Sequence, residues 1–515
     1  MFSVLLQKEI REQIQTFRFA ALLITLFGLT VLSVWVLGDD YVRRRDTYNK
    51  LAEQAAIQTR ECKVPSLLQP VVHYPPSALG IFAKGEEKRL GNAVTIDRWA
   101  VPRDASDSLM DNELLAAQPS FDFLAILTVV ASLFGVLLTY DSISGERERG
   151  TLKQLCSTTT GRGAIFTAKF VAGSLILLVP ILISLLMMVL ILQFFHNIAF
   201  TAMQWLSIAL MVLSAFIYGA IFIALGILCS ALVRRASISL ILALLIWTIS
   251  VILVPRIGSG LATTIHPLPS PSEVDLLKKV TEEETRRQAE DQERLIRSKT
   301  KDMGFWGTFS TTYRQPILRW GTPDAFRLFQ EATRIAEPLW QRRAEVVWNL
   351  EKEHEAELVA QAELADWLSL VSPSSHLRRI FNTLSGTSYE YYSEFMEDAR
   401  RFRRAFLDNL ESKGYFGRNS LFFVTQIPME VGLDPEKLNA RLDAIRNNLG
   451  EGAGWEDVIS EDNWDPLPSD IVPAFEFKGD QPQLELVLGP FSSLAVILTV
   501  LFLAGLFAFH RYDIR

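Results

Sequence analysis

The sequence predicts a polytopic α-helical membrane protein: six transmembrane helices plus a mostly helical extracytoplasmic domain. Three observations predict it. Hydrophobic residues are 49% of the 515-residue chain, and they are gathered into blocks instead of being spread along it. About 20 apolar residues in a helix cross a bilayer, and six blocks reach that length. The longest polar stretch, 256–488, is charge-rich and carries its apolar residues near helical spacing.

Residues 1–16 set Val4, Leu5, Leu6, Ile10 and Ile14 against Lys8, Glu9, Arg11 and Glu12, one apolar stripe and one charged face, which predicts a cytoplasmic interfacial elbow helix. Residues 17–38 form the first span. They are too long for a signal-peptide core, and no small-x-small cleavage site precedes Asp39-Asp40. Residues 39–120 are polar and punctuated by Pro65, Pro70, Pro75-Pro76, Pro102 and Pro119, an extracytoplasmic insertion read as a small folded unit or a long loop. The second span is 121–139, with one early acid, Asp122.

A polar loop, 140–163, precedes the third to fifth spans, 164–254. Within these, Phe195 to Gln204 has no Lys or Arg and reads as non-cytoplasmic, while Arg234-Arg235 marks a cytoplasmic turn. The fifth span is expected to end at Val254, before Pro255-Arg256. Residues 255–490 are the large extracytoplasmic helical domain, 491–509 the sixth span and 510–515 a cytoplasmic tail. Arg43-Arg44-Arg45 opposes this orientation locally, but long loops translocate largely regardless of charge, so the short basic loops decide it.

In the large domain, Ser272 to Lys299 and Asp324 to Trp367 read as two helices that pair as an antiparallel stalk. Pro338 falls fifteen residues into the second, where a missing donor and a ring clash predict a break near Glu337. Between them, Gly304 to Tyr313 concentrates aromatics, either buried core or a partner-binding tip. The whole domain is long enough to be expected to fold on a core of its own.

The loop between the second and third spans carries the chemistry. Asp141, Gly145, Glu146, Arg147, Glu148, Arg149, Gly150, Thr151, Leu152 and Leu155 form a charged run, then a break and a helix start. Read from composition, it is a solvated connector obeying the positive-inside rule. The order Asp-Ser-Ile-Ser-Gly-Glu-Arg-Glu-x-Gly-Thr-Leu-Lys-x-Leu, followed by Arg162 and Lys169, resembles the coupling region of type-2 ATP-binding-cassette exporter permeases. Leu370 to Ser388, with Leu384-Ser-Gly-Thr387 its most recognisable part, resembles a segment of members carrying a long extracytoplasmic domain before the last span.

The resemblance implies a permease subunit in the inner (cytoplasmic) membrane that exports an amphiphilic or lipid-like substrate. It further implies a nucleotide-binding ATPase subunit docked on the loop, and a second permease chain, identical or homologous. ATP and Mg would belong to the ATPase, with no cofactor in this chain, and the second and fifth spans would line the path. Membrane lipid is a partner of the spans, and an envelope partner of 255–490 is compatible. The rival reading is an ATP-driven machine whose stalk acts on that envelope partner without transport.

Other classes fare worse. No Gly-x-x-x-x-Gly-Lys-Ser/Thr run is present to cradle nucleotide phosphates. The segment 256–488 holds 39 acidic against 28 basic residues, a poor surface for nucleic acid. Cys62, Cys156 and Cys229 are expected in three separate places, so no structural disulfide is expected, and Glu353-His354-Glu355 lacks a second His for a metal, leaving His354 a surface helix residue. A membrane-embedded hydrolase is disfavoured because the spans hold almost no acids.

Overall fold

The computed structural model describes residues 2–62, 68–85, 93–98, 103–104, 121–156, 161–299, 309–310, 317–318, 323–413, 467–477 and 483–511, with isolated positions between 436 and 450. Of residues 103–104, 156, 271, 293, 296–299, 309–310, 317–318 and 323–337 only the backbone is described. Six helices among them are long and apolar enough to cross a membrane: Phe17–Glu61, Phe123–Glu148, Arg162–Phe194, Ala202–Leu232, Ala236–Ile265 and Leu484–Arg511. The elbow helix, Phe2–Ile14, precedes them.

The first span is not a helix that stops at residue 38. Its apolar part ends there, but the helix continues to Glu61 as a polar arm. Asp39–Arg43 (3.0 Å) and Asp40–Arg44 (3.2 Å) pair one turn apart and support it. The arginines that oppose the charge rule are thus committed partly to helix-internal pairs.

The fourth span is the hub, packed by the second, third, fifth and sixth. Small residues allow the close approach: a Cβ on Gly226 would collide with Thr139, one on Gly219 would reach Leu177 at 2.7 Å, and one on Gly173 would crowd Ile223 and Thr139. Backbones that approach this closely hold helices together where lipid supplies no hydrophobic drive.

Two spans contain a π turn, and in each the opened carbonyls find donors. In the second span the turn is Leu127–Ala131, and Thr128 O accepts from Tyr218 Oη of the fourth span (2.8 Å) and from Ser132 Oγ (2.5 Å). Trp247 Nε1 of the fifth span donates to the same Ser132 Oγ (2.8 Å). In the fifth span the turn is Ile249–Leu253, just before Pro255, and the helix runs on through Val254–Ile265, past the boundary expected at Val254. Pro255 has no N–H, so one carbonyl of the preceding turn loses its helical donor. Ser374 Oγ donates to Val251 O (3.3 Å) and Ser372 Oγ to Ser250 O (2.6 Å). Proline therefore opens a docking point for the Ser-Pro-Ser-Ser segment instead of ending the helix.

That segment starts the helix Pro373–Ser385, which packs its apolar face on the fourth and sixth spans and ends at Gly386 in the left-handed region (φ 68°). The next helix, Tyr389–Ser412, points Phe395, Phe402 and Phe406 into a core completed by Leu68, Val72, Val94 and Ile96 of the 39–120 insertion. Those residues belong to or flank a small antiparallel sheet, order β1-β2-β3, of Val71–His73, Ala93–Thr95 and Arg103–Asp104, with Val72 opposite Val94. Arg403 closes the join by donating to Asp97 O (2.8 Å) and Arg98 O (2.6 Å). Arg98 is fully buried, and loss of hydration pulls its guanidinium down to about 10. The two insertions thus share one core, correcting the expectation that 256–488 has its own.

The stalk forms as expected: Pro271–Lys299 pairs antiparallel with Pro323–Leu368 through Lys278–Glu351 (2.9 Å) and Arg343–Glu282 (3.3 Å). The second helix is unbroken through Pro338, contrary to the expected break. A proline costs a helix about 3 kcal/mol, which the packing of Ala344 and Val347 and the Arg343 stack on Trp340 (4.8 Å) help to offset. Of the aromatic stretch 304–313, only the backbone pairing of Phe309–Ser310 with Ile317–Leu318 is described, so the choice between core and tip lies outside the described residues.

Phe395 is fully buried and meets Tyr74 (5.1 Å), Phe477 (5.6 Å) and Phe475 (5.9 Å). Phe395→Ala is expected to cost about 3–5 kcal/mol and to open both insertions together. Limited proteolysis across a temperature ramp checks this, and cleavage confined to one insertion would contradict the shared core.

Candidate functional site: the loop between the second and third spans

The second span ends at Tyr140, and the loop folds as two short helices, Ser144–Glu148 and Thr151–Cys156. Gly150 separates them at φ 74°, a conformation that L side chains adopt at a cost. Thr151 Oγ1 donates back to Glu146 O (3.1 Å), closing the turn.

Two charged knots hold this unit to the helices behind it. Arg18, near the start of the first span, makes a two-point contact with Asp141 (3.0 Å to each oxygen) and donates to Tyr140 Oη (2.8 Å) and Leu137 O (3.2 Å). Its guanidinium also lies over the Tyr140 ring. The second knot is deeper: Lys169 Nζ of the third span donates to Glu9 of the elbow helix (3.0 and 3.1 Å) and to Glu146 of the loop (2.7 Å). Side-chain exposure is only 2% for Lys169, 5% for Glu9 and 13% for Glu146. At such burial a charge is tolerated only if it is paired and hydrogen-bonded.

Neutral contacts extend the attachment. Ser230 Oγ, near the end of the fourth span, accepts from the N–H groups of Ile143 and Ser144 (2.9 Å each) and contacts Ser144 Oγ (3.0 Å). Glu148 Oε1 accepts from Ala236 N (3.0 Å), placing a carboxylate at the start of the fifth span, where the helix dipole favours it. Leu152 is buried in the main core and Leu155 packs against it. A Cβ on Gly145 would crowd Asp141 at 3.2 Å. Arg162 Nη1 donates to His510 O (2.8 Å), joining the sixth span.

The sequence-derived residues therefore divide. Asp141, Gly145, Glu146, Leu152 and the Glu148 carboxylate are turned toward the chain's own helices, while Arg149, Gly150, Thr151, Lys153 and Gln154 are exposed and Arg147 is half-buried. Glu146 faces inward, so it does not belong to an outward-facing acidic surface. Arg18 and Ser230 carry no signal in the sequence, and Glu9 reads only as part of the charged face of the elbow helix; the lone Lys169 in an apolar span, which demands an acid, is the signal that points to it. Elsewhere, Cys229 is a buried free thiol, the described residues hold no group of three His, Cys, Asp or Glu placed for a metal, and His354 is half-buried on the stalk helix.

The family model of the ABC-2 family transporter protein matches residues 4–397, which takes in the elbow helix, the first five spans, the loop and the helix Pro373–Ser385. The chain belongs to the ABC-2 transporter family. It is a multi-pass membrane protein. A second model, a domain of unknown function named DUF3526, matches residues 333–477. The probable ABC transporter permease protein NosY of Stutzerimonas stutzeri is 31% identical over 128 residues, 25% of this chain and 46% of that relative, so the match spans less than half of the relative's length.

Lys169→Met leaves two buried carboxylates facing an apolar methyl, and this ABC-2 chain is expected to lose about 3–5 kcal/mol of stability. Removing all three charges together, as Glu9→Gln, Glu146→Gln and Lys169→Met, is expected to restore most of it. Thermal melting of the detergent-solubilised chain checks both, and a Lys169→Met variant that melts like the native chain would contradict a paired ion knot.

Proposed function

We propose that this chain is the permease subunit of an ATP-driven exporter, working with a second permease chain and with a separate nucleotide-binding ATPase that carries ATP and Mg. The observation that carries this reading is the two-sided loop. Its outer side offers Arg149, Thr151 and Lys153 to a partner, and its inner side is bonded to the first, third, fourth and fifth spans and, through Lys169, linked to the elbow helix. A push on the outer side reaches all of them at once. The second and fifth spans, joined through Ser132 and Trp247, would shift together and alter a path between two permease chains. Alternation between two packed arrangements supplies the gating. The apolar outer faces of the fifth and sixth spans suit an amphiphilic or lipid-like cargo.

Orientation follows from charge. Arg147, Arg149, Lys153, Arg162, Arg234, Arg235 and Arg511 all lie at the loop end of the spans, and short basic loops stay in the cytoplasm. Both insertions would then be extracytoplasmic and the chain would reside in the inner membrane. A second reading, a machine that moves its stalk against an envelope partner, is favoured by one observation. The fifth span continues into Val254–Ile265, on which the stalk's long helix packs, with Gln361 Nε2 donating to His266 O (2.6 Å).

Arg149→Glu with Lys153→Glu is expected to abolish the ATPase activity that copurifies with the tagged chain, while the chain's own melting stays within a degree or so of native because both side chains are exposed. Unchanged copurifying ATPase activity would remove the docking assignment. Orientation is checked by single reporters, Arg149→Cys and Arg287→Cys, in a chain without its native cysteines. A membrane-impermeant maleimide on intact cells is expected to label the second and spare the first, and the reverse pattern would invert the orientation.

A further inference from the structure

At the end of the spans opposite the loop lies a cavity of about 410 Å³, within the roughly 300–1,000 Å³ usual for small-ligand sites. Three parts of the chain enclose it: Tyr41 on the arm of the first span, the Tyr74 to Leu79 segment of the first insertion, and the Leu384-Ser-Gly turn, with the start of the fourth span as floor. The walls are fixed before any ligand arrives. Ser77 Oγ donates to Ser385 O (2.5 Å) and Tyr74 Oη to Gly386 O (3.2 Å). Ser385 Oγ (3.2 Å) and Thr387 Oγ1 (2.9 Å) both donate to Ala83 O. The Leu-Ser-Gly-Thr motif, which the transport reading leaves without a role, is thus the buckle that shapes this chamber.

Its chemistry is selective. Among the described residues no charged side chain lines it. That disfavours a phosphate, which needs cations. The lining instead offers flat rings, Tyr41, Tyr391 and the Pro75-Pro76 pair, alongside groups that both donate and accept. Two polar groups on the floor await a partner. Ser207 is 1% exposed and lines the cavity, yet its hydroxyl has no hydrogen bond among the described residues. Gln204 gives its Oε1 to Thr201 N (3.0 Å) in a capping box, which leaves its Nε2 donor without a partner among them. A buried hydroxyl and an amide donor left open beside ring faces match a neutral, many-hydroxyl ligand that stacks its C–H face on the rings and bonds through its edges.

We propose that this cavity binds a glycosyl group, either a free saccharide or the head of a glycolipid. The site stands on its own lining, so its failure would leave the export reading untouched, as failure of export would leave the site. The test uses the full chain in phosphatidylglycerol nanodiscs with two probes. Maltose is followed by saturation-transfer NMR, and a glucosyl-diacylglycerol mixed into the disc is counted by native mass spectrometry. Binding of maltose assigns a free saccharide, and retention of the glucosyl lipid alone assigns a lipid head. Ser207→Ala removes only the hydroxyl, and Gln204→Glu keeps the capping acceptor while removing the donor. Each is expected to weaken binding about tenfold with melting unchanged. Binding of neither probe, equal binding by both variants, or displacement of the sugar by tetramethylammonium would overturn the assignment.

Discussion

Everything at the loop end depends on one buried ammonium. Lys169 sits in the third span with two carboxylates from different parts of the chain as its partners, and its three protons are matched by three short contacts. Without them the ammonium would bear a desolvation cost of several kcal/mol, so the third span cannot sit comfortably unless the elbow helix and the loop are both in place. The arms are unequal. Glu9 gives both oxygens and is nearly sealed, whereas Glu146 gives one, is more exposed, and has an Oε2 with no partner among the described residues. A displaced loop would therefore part from Lys169 at the Glu146 arm first, while the elbow helix stays bound.

At the opposite end the governing constraint is backbone satisfaction. A span has no water to cover an opened carbonyl, so irregular helix is tolerated only where protein groups supply the donor. Both π turns obey this. Tyr218 and Ser132 serve the second span, and Ser372 and Ser374 serve the fifth. The consequence is long-range, since a proline in one span fixes where a segment more than a hundred residues later must dock. The same serines start the helix whose far end builds the Leu-Ser-Gly-Thr turn against the first insertion.

Legibility in the sequence followed the range of the interaction. The six spans, the elbow helix, the loop helix that starts at Thr151 and the stalk pair could be read because each rests on local periodicity or on a run of one kind of residue. Three boundaries could not. The arm to Glu61 looks like loop until Asp39 and Asp40 are seen to pair with Arg43 and Arg44 along a helix. Pro255 looks like a terminator because its compensating serines are remote in the chain, and the helix through Pro338 depends on packing against another helix. The loop was legible as a charged run between two spans but its inward and outward faces were not, because Glu146 and Arg149 are both charged residues in a polar run and only the distant Lys169 distinguishes them.

The shared core of the insertions has a mechanical consequence. Because Phe395 and Phe402 pack with Val72 and Val94, the two insertions are one body. That body is attached to the first span through Lys84–Asp40 (2.7 Å), to the second through Lys84 N on Asp122 (3.0 Å), and to the fifth through the serine contacts. The loop grips the same three spans at their other ends. Helices hold their length because each residue is bonded along the axis, so the arm-bearing first helix of 45 residues is a strut of about 68 Å. A shift imposed at the loop is carried along these helices toward the body. The loop and the insertions are therefore coupled through parallel struts, and a change that shears the second span against the fifth must also strain the single core that both support.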